Sequence, residues 1–422
     1  MARLLYSALF YLLTPFLLLK LWLRGRRSPE YRQRWAERFG FIPQARGVRP
    51  LWIHSVSVGE TVAIMPLIEL LLAKYPDIPI VVTTMTPTGS ERVRALFADR
   101  VMHFYCPYDL PDALARFHSR VKPRACVIVE TELWPNLVAS CFARNVPVMV
   151  ANARLSAKSA AGYAKFVWLT KPMLKKITCV AAQNAMGGQR FLKLGLDKQA
   201  LAVTGSIKLD VSVPESSLET ARQLRDAWGA DRPVLLAAST HDNEEQQMVS
   251  LYKNLLDDYP KLLLVLVPRH PERFQDVYSD CLRAGLHTTR RSLGELPSSN
   301  TQVYLGDTMG DLLMLFATAD SVFVGGSLIE RGGHNPLEPA LLAKPVLMGP
   351  HVYNFQQIVD ELAVAGALLQ VDNLEQLEIE VRRLFSGVAR AEDIGRKGQE
   401  YIEANRGALD RLLKLIEQHC RL

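Results

Sequence analysis

From residue 51 onward, short continuous apolar runs rich in β-branched residues alternate with amphipathic stretches of helical period. The runs fall at 51–54, 79–83, 125–129 and 146–151, and again at 234–238, 262–267, 321–324 and 345–348, each bounded by turn residues. A strand without polar alternation suits burial on both faces, so the pattern predicts an α/β chain of parallel, doubly wound sheets covered by helices. At 422 residues the chain exceeds what one hydrophobic core holds, which predicts two such domains. The polar stretch 211–219 has the composition of a connector. The expected division is therefore 1–24, 25–212 and 213–422, with no low-complexity tract or short-period repeat.

The first of these segments is apolar. Residues 4–23, LLYSALFYLLTPFLLLKLWL, are just long enough to cross about 30 Å of hydrocarbon as a helix, though Thr14, Pro15 and Lys20 interrupt them. No small-residue cleavage site precedes Arg24, so an uncleaved anchor is expected over a removed signal. Arg24, Arg26 and Arg27 on its C-terminal side place the rest of the chain in the cytoplasm by the positive-inside rule. The alternative is a helix lying in the interface.

Charge agrees with a membrane location. The chain carries a formal +7, and residues 20–49 alone hold nine basic side chains (Lys20, Arg24, Arg26, Arg27, Arg32, Arg34, Arg38, Arg46, Arg49) against two acids, Glu30 and Glu37. The remainder sums to balance. That argues against a nucleic-acid binder, which would carry a basic face on its folded domain, and for a segment lying among anionic headgroups. Six widely spaced cysteines suggest neither a disulfide framework nor a zinc site, and a reducing compartment fits them.

In open parallel sheets ligands bind beyond the carboxyl ends of the strands. At the first such junction, His54-Ser55-Val56-Ser57-Val58-Gly59-Glu60, Glu60 stands at a helix start, where the dipole favours the ionised form that a general base needs. Glutamate is also common there simply because it stabilises first turns. A second junction, Val129-Glu130-Thr131-Glu132-Leu133-Trp134, places two carboxylates after a strand, either to act on a sugar or to begin a helix. Lys208, in Gly205-Ser206-Ile207-Lys208-Leu209-Asp210, lies near the expected domain boundary, although a surface lysine is the ordinary reading.

The strongest local signal is Gly325-Gly326-Ser327 followed by Gly332-Gly333-His334-Asn335-Pro336-Leu337-Glu338. Asn335 as N-cap and Pro336 at the first helical position predict a helix start that holds a phosphate, with Glu338 accepting from ribose hydroxyls. Two further loops suit the same ligand: residues 267–273, which can place Arg269 on a phosphate or carboxylate, and residues 306–311, which offer a turn and backbone groups to a base. His241, His270, His334 and His351 are scattered in sequence without a short-range ligand pair, so no metal is expected. A Walker-A loop and a nucleophile elbow are both absent.

Taken together and in order, HSVSVGE, VETELWPN, GSIKLD, VPRHPERF, GDTMGDL and GGHNPLEP resemble the 3-deoxy-D-manno-octulosonic acid (Kdo) transferases of lipopolysaccharide synthesis over essentially the whole chain. The resemblance implies a GT-B architecture of two Rossmann-like domains, the first receiving a lipid A precursor (lipid IVA) and the second holding the donor CMP-Kdo. It also implies a final helix, from about residue 391, that crosses back to the first domain. Residue by residue it gives the general base to Glu60 and supporting roles to Glu130 and Lys208. Donor contacts would fall at Pro268, Arg269, Met309, Gly310, Asp311, Asn335, Pro336, Leu337 and Glu338. The expected reaction is an inverting, metal-independent transfer at the cytoplasmic face of a Gram-negative inner membrane, with no cofactor because CMP-Kdo is a substrate. The alternatives are another GT-B transferase, using a heptose or UDP-sugar donor, and a non-catalytic nucleotide-sugar binding protein. Nothing in the sequence sets an oligomeric state.

Overall fold

A computed structural model describes residues 2–26, 28–45 and 49–422; of the basic run, Arg27 and Arg46 lie outside the described residues. The chain forms two compact units, 1–210 together with 406–422, and 211–405.

The first unit is built on seven parallel strands: β1 (Leu51–His54), β2 (Ile80–Thr84), β3 (Met102–Tyr105), β4 (Ala125–Val129), β5 (Val148–Ala153), β6 (Cys179–Ala182) and β7 (Leu201–Val203), in the order β3-β2-β1-β4-β5-β6-β7. Alternate residues explain the apolar runs. In β4, Ala125, Val127 and Val129 join one buried cluster while Cys126 and Ile128 join the cluster on the opposite face. In β1, Leu51 and Ile53 turn to the first face and Trp52 to the second. Each side chain is buried whichever way it points, so the sequence shows no alternation.

The second unit repeats the plan with β8 (Val234–Thr240), β9 (Leu263–Pro268), β10 (Thr288–Arg290), β11 (Val303–Leu305), β12 (Ser321–Val324), β13 (Val346–Met348) and β14 (Leu368–Gln370), all parallel in the order β10-β11-β9-β8-β12-β13-β14. The eight strands read from the sequence are the central ones, β1, β2, β4 and β5 and β8, β9, β12 and β13. The six it did not reveal flank them, and are only three or four residues long.

The end of the chain is two helices, not one. Val388–Asn405 packs in the second unit and Ala408–Cys420 in the first, with the break at Gly407 (φ +83°). Asp210 caps the second helix by accepting the Gly407 and Leu409 N–H groups at 2.6 and 2.5 Å. Ala408, Leu412, Ile416 and Cys420 then join the cluster on the face of β1 and β4 that also packs the helix Val58–Lys74. Within the second unit, Gly395 lies so close to the preceding connection that a Cβ there would collide with the Ala343 carbonyl. Gly395→Ala is therefore expected to destabilise this unit by about 1–3 kcal/mol, measured by urea unfolding. An unchanged midpoint would show that the two segments separate freely.

Candidate active site

In the first unit the chemistry gathers beyond the carboxyl ends of β1, β4 and β5. After β1, Ser57 caps the helix Val58–Lys74 by accepting the Glu60 N–H at 3.3 Å. The Glu60 carboxylate reaches back, accepting the Ser57 hydroxyl at 2.8 Å and the Val56 N–H at 2.7 Å. These reciprocal bonds across the helix start fix the rotamer of Glu60, which is 8% exposed. The helix start alone suggests an ionised group, but burial wins. Desolvation, reinforced by the charges of Glu132 and Glu130, lifts Glu60 from 4.5 to about 7, against the two hydrogen bonds that favour the anion. A carboxyl poised near neutrality is suited to take a proton at physiological pH.

Glu130, the first residue after β4, is held at φ +58°, a left-handed conformation that a non-glycine residue adopts at a cost of about 1–3 kcal/mol. Its N–H is bonded to the Ala151 carbonyl at 2.8 Å, and its carboxylate meets Lys208 Nζ at 3.1 Å. Lys208 sits on the single turn Ile207–Leu209, which Asn152, just inside the end of β5, fixes by accepting the Ile207 N–H at 3.2 Å. The pair is half-buried, so it is an ordered ion pair that water can still reach. Glu132 bonds the Trp134 indole N–H at 3.2 Å, and burial raises its pKa too. His54 closes the floor, edge-on to Trp134 with ring centroids 5.0 Å apart; burial lowers its pKa to about 4, so it is neutral.

In the second unit, three loops named from the sequence follow β9, β11 and β12. Pro268 ends β9, and the exposed Arg269 side chain makes no hydrogen bond to any described residue, leaving its five donors free. After β11, Met309 is 68% exposed, Gly310 turns at φ +95°, and Asp311 accepts from Arg291 at 2.5 Å and Thr308 at 2.6 Å. Burial opposes the Asp311 anion, but those donors outweigh it and hold its pKa below the usual range. After β12 the expected helix starts one residue later than read, at Leu337, and runs only to Leu341. Asn335 still ties its start, accepting the Leu337 N–H at 3.1 Å and donating to Glu338 at 3.0 Å. Burial raises Glu338.

Tertiary structure adds two groups that the sequence reading passed over. The scattered histidines converge: His241 and His334 stack with their Nε2 atoms 2.8 Å apart, and the His270 ring lies 5.2 Å from His241. Burial lowers both His241 and His334 to about 4, so one neutral ring donates and the other accepts. Among the described residues no group of three or more His, Cys, Asp or Glu side chains is arranged to hold a metal ion. Beside the histidines, the fully buried Glu244 accepts four backbone N–H groups, from Gly326 (2.7 Å), Leu328 (3.0 Å), Ser327 (3.1 Å) and His241 (3.2 Å). The Gly326, Ser327 and Leu328 amides are thus already occupied by a carboxylate, and the Gly325 N–H by the Ala238 carbonyl at 2.8 Å, so none of them is open to a phosphate. The signal for both residues was present, since Thr240-His241-Asp242-Asn243-Glu244 follows an apolar strand as the other junctions do.

Two parallel seven-stranded sheets, with a carboxylate cluster around the buried Glu60 beyond the strands of the first and a histidine and arginine-bearing loop cluster beyond those of the second, define a protein of the GT-B class of fold. At the level of fold alone, the chain is similar to the Staphylococcus aureus MnaA structure solved with UDP, at TM-score 0.55 and 16% identity over 89% of this chain and 98% of that one. Residues 33–211 match the family model described as 3-deoxy-D-manno-octulosonic-acid transferase (kdotransferase). The 3-deoxy-D-manno-octulosonic acid transferase of Haemophilus influenzae is 44% identical over 422 residues, covering 99% of each chain. That of Bordetella pertussis is 33% identical, again over 99% of each. The chain belongs to the Kdo transferase family, glycosyltransferases of lipopolysaccharide biosynthesis.

Proposed function

We propose that the protein transfers Kdo from CMP-Kdo to a hydroxyl of a lipid A precursor (lipid IVA), with inversion and without a metal, at the cytoplasmic face of an inner membrane. The observation that carries the reading is Glu60: in a chain of this family, a buried carboxyl poised at about 7 stands beside the Glu130–Lys208 pair. Glu60 takes the acceptor hydroxyl proton as that oxygen bonds to the anomeric carbon and the bond from that carbon to the CMP phosphate breaks. Charge develops on the departing phosphate, and Arg269, with its donors free, is suited to bind it. The Glu130 carboxylate balances the partial positive charge of the reacting sugar, and Lys208 holds that carboxylate in place. Pro268, the turn of Met309, Gly310 and Asp311, and the segment Asn335, Pro336, Leu337 and Glu338 surround the nucleotide. The N-terminal helix, the one among the described residues long and apolar enough to cross a bilayer, keeps the enzyme at its lipid substrate.

The test is transfer from CMP-Kdo to a tetra-acylated lipid A precursor with EDTA present, read by product mass. Kdo additions by the wild type support the reading, and their number comes from the mass; turnover with a UDP- or ADP-sugar but not CMP-Kdo overturns it. The pH profile is a second check. Because the base works ionised and its pKa is about 7, kcat should climb about tenfold per pH unit below neutrality and level off above it. A profile flat from pH 5 to 8 assigns the proton elsewhere. Lys208→Met should lower kcat by about ten- to a hundredfold, and an unchanged rate makes the pair merely structural.

A further inference from the structure

The N-terminal helix Ala2–Arg24 is not free of the first unit. Ser7, Phe10, Thr14, Leu17 and Leu21 recur every three or four residues and face the unit along nearly the whole helix. The contacts are polar as well as apolar. Asn136 donates to Ser7 Oγ at 2.9 Å, Tyr11 donates to Asp112 at 2.5 Å, and Leu21 is buried with Tyr108, Leu110 and Ala113. The opposite face carries Leu5, Leu12, Phe16 and Leu19, exposed by 67, 78, 70 and 49%.

A helix docked this way cannot stand upright in a bilayer. Tyr11 is near its middle, and its partner Asp112 is itself ion-paired with Arg116. Spanning would carry both charges to mid-depth in hydrocarbon, or would require every docked contact to break. Laid flat, the same helix keeps its contacts and turns only its apolar face to lipid.

A second feature extends that face. The helix Val167–Leu174 and the helix Pro135–Phe142 both touch the N-terminal helix. At the junction of Ala157–Lys165 with Val167–Leu174, Phe166, Val167 and Trp168 are exposed by 55, 48 and 46%, and Phe142 nearby by 56%. Exposed aromatic clusters on a folded surface mark a binding face. Its charge names the partner. The balance outside residues 20–49 conceals a stretch, residues 133–196, with nine lysines and arginines and no aspartate or glutamate. Lys158, Lys165 and Lys175 are exposed around the aromatic junction, Lys176 lies over the Phe142 ring, and the nearby Arg3 charge contributes to a lowered Lys176 pKa, after burial. Among the described residues the ion-paired lysines are Lys74, Lys208 and Lys397, none of them on this face. An apolar surface fringed by unneutralised cations complements an anionic leaflet.

We propose that the first unit docks broadside on the surface of a bilayer containing anionic phospholipid, with the N-terminal helix lying in the plane of the interface and the Phe166-Val167-Trp168 junction inserting as a second point. This rests on the membrane location in the proposed function and specifies its geometry. Tyr163, from the helix leading into that junction, reaches the Thr131 carbonyl at 3.5 Å, next to Glu130, so the docked edge adjoins the carboxylates.

The test uses the full chain and phosphatidylcholine vesicles with or without phosphatidylglycerol, and contains no sugar donor, so it stands apart from the fate of the transferase reading. All six native cysteines are buried, so single reporters at Leu5→Cys, Leu12→Cys and Leu19→Cys can be labelled selectively. Quenching by lipids carrying spin labels at graded depth should place the three at one shallow depth. Finding Leu12→Cys deepest, between two shallow ends, overturns the proposal in favour of a spanning helix. Independently, Lys158→Glu/Lys165→Glu/Lys175→Glu should weaken binding to phosphatidylglycerol vesicles by about tenfold or more and leave binding to pure phosphatidylcholine unchanged. Trp168→Ser should weaken both. Unchanged affinity for either variant removes the second insertion point.

Discussion

Glu60→Gln is expected to cost about a hundredfold to ten-thousandfold in kcat while CMP binding to the second unit stays as it was. Glutamine keeps the acceptor oxygen for the Val56 N–H but cannot take a proton, so the acidic limb of the pH profile should vanish with the rate. The same change should stabilise the fold at high pH. Glu60 has a folded pKa raised above its unfolded 4.5, so the stability linked to its protonated form is present below that value and is lost as pH rises through about 7. A neutral glutamine avoids this, recovering at most about 3 kcal/mol at pH 8. Losing activity while gaining stability is the signature of a group held against its own preference for function. A variant that retains most of its rate, or keeps the acidic limb, moves the base to Glu130 or Glu132.

Glu244→Ala carries the second large effect, and it acts without Glu244 touching a ligand. Four backbone N–H groups within the second unit lose their acceptor, and three of them lie in the turn that follows β12. Replacing a buried charged acceptor with a methyl group should cost about 3–5 kcal/mol. The turn also holds His334, since a Cβ on Gly326 would meet that ring at 3.0 Å. Isothermal titration should accordingly show weakened CMP binding, while urea unfolding shows the second unit destabilised. Glu244→Gln, which keeps two oxygen lone pairs but not the charge, should recover part of both. If Glu244→Ala unfolds at the wild-type midpoint, water has replaced the carboxylate and the turn is not held as described.

Neither residue could be weighted correctly from sequence, for different reasons. Glu60 was visible because it follows an apolar strand and opens a helical period, and the motif around it is specific. What the sequence suggested about its ionisation was the effect of the helix end alone. Burial under the neighbouring segments and two nearby carboxylates, Glu130 and Glu132, reverse the direction. Glu244 lies in an equally visible position, but three of its four partners are 82 to 84 residues away, and no local pattern marks a carboxylate that closes a distant turn. The histidines repeat the lesson: positions 241, 270 and 334 share no spacing, yet β8, β9 and β12 are neighbours in one sheet and deliver all three to one end of it.

The strands divide along the same line. Central strands are covered by helices on both faces and flanked on both edges, so all their residues but Ser239 are buried and the apolar run announces itself. At the flanks, Thr288–Arg290 and Leu201–Val203 are only partly buried, and three residues are too few for a period to show. Pairing with a neighbour makes them strands.

By itself, then, the sequence determined the parallel α/β architecture, the apolar N-terminal segment, the strand-to-helix junctions that carry the candidate site residues and the family, because each is written in residues adjacent along the chain. Tertiary structure decided the proton affinity of Glu60, the occupant of the glycine turn, the meeting of the histidines and the docking of the N-terminal helix. These depend on desolvation and on hydrogen bonds between residues far apart in sequence, and such energies exist only once the intervening chain has folded.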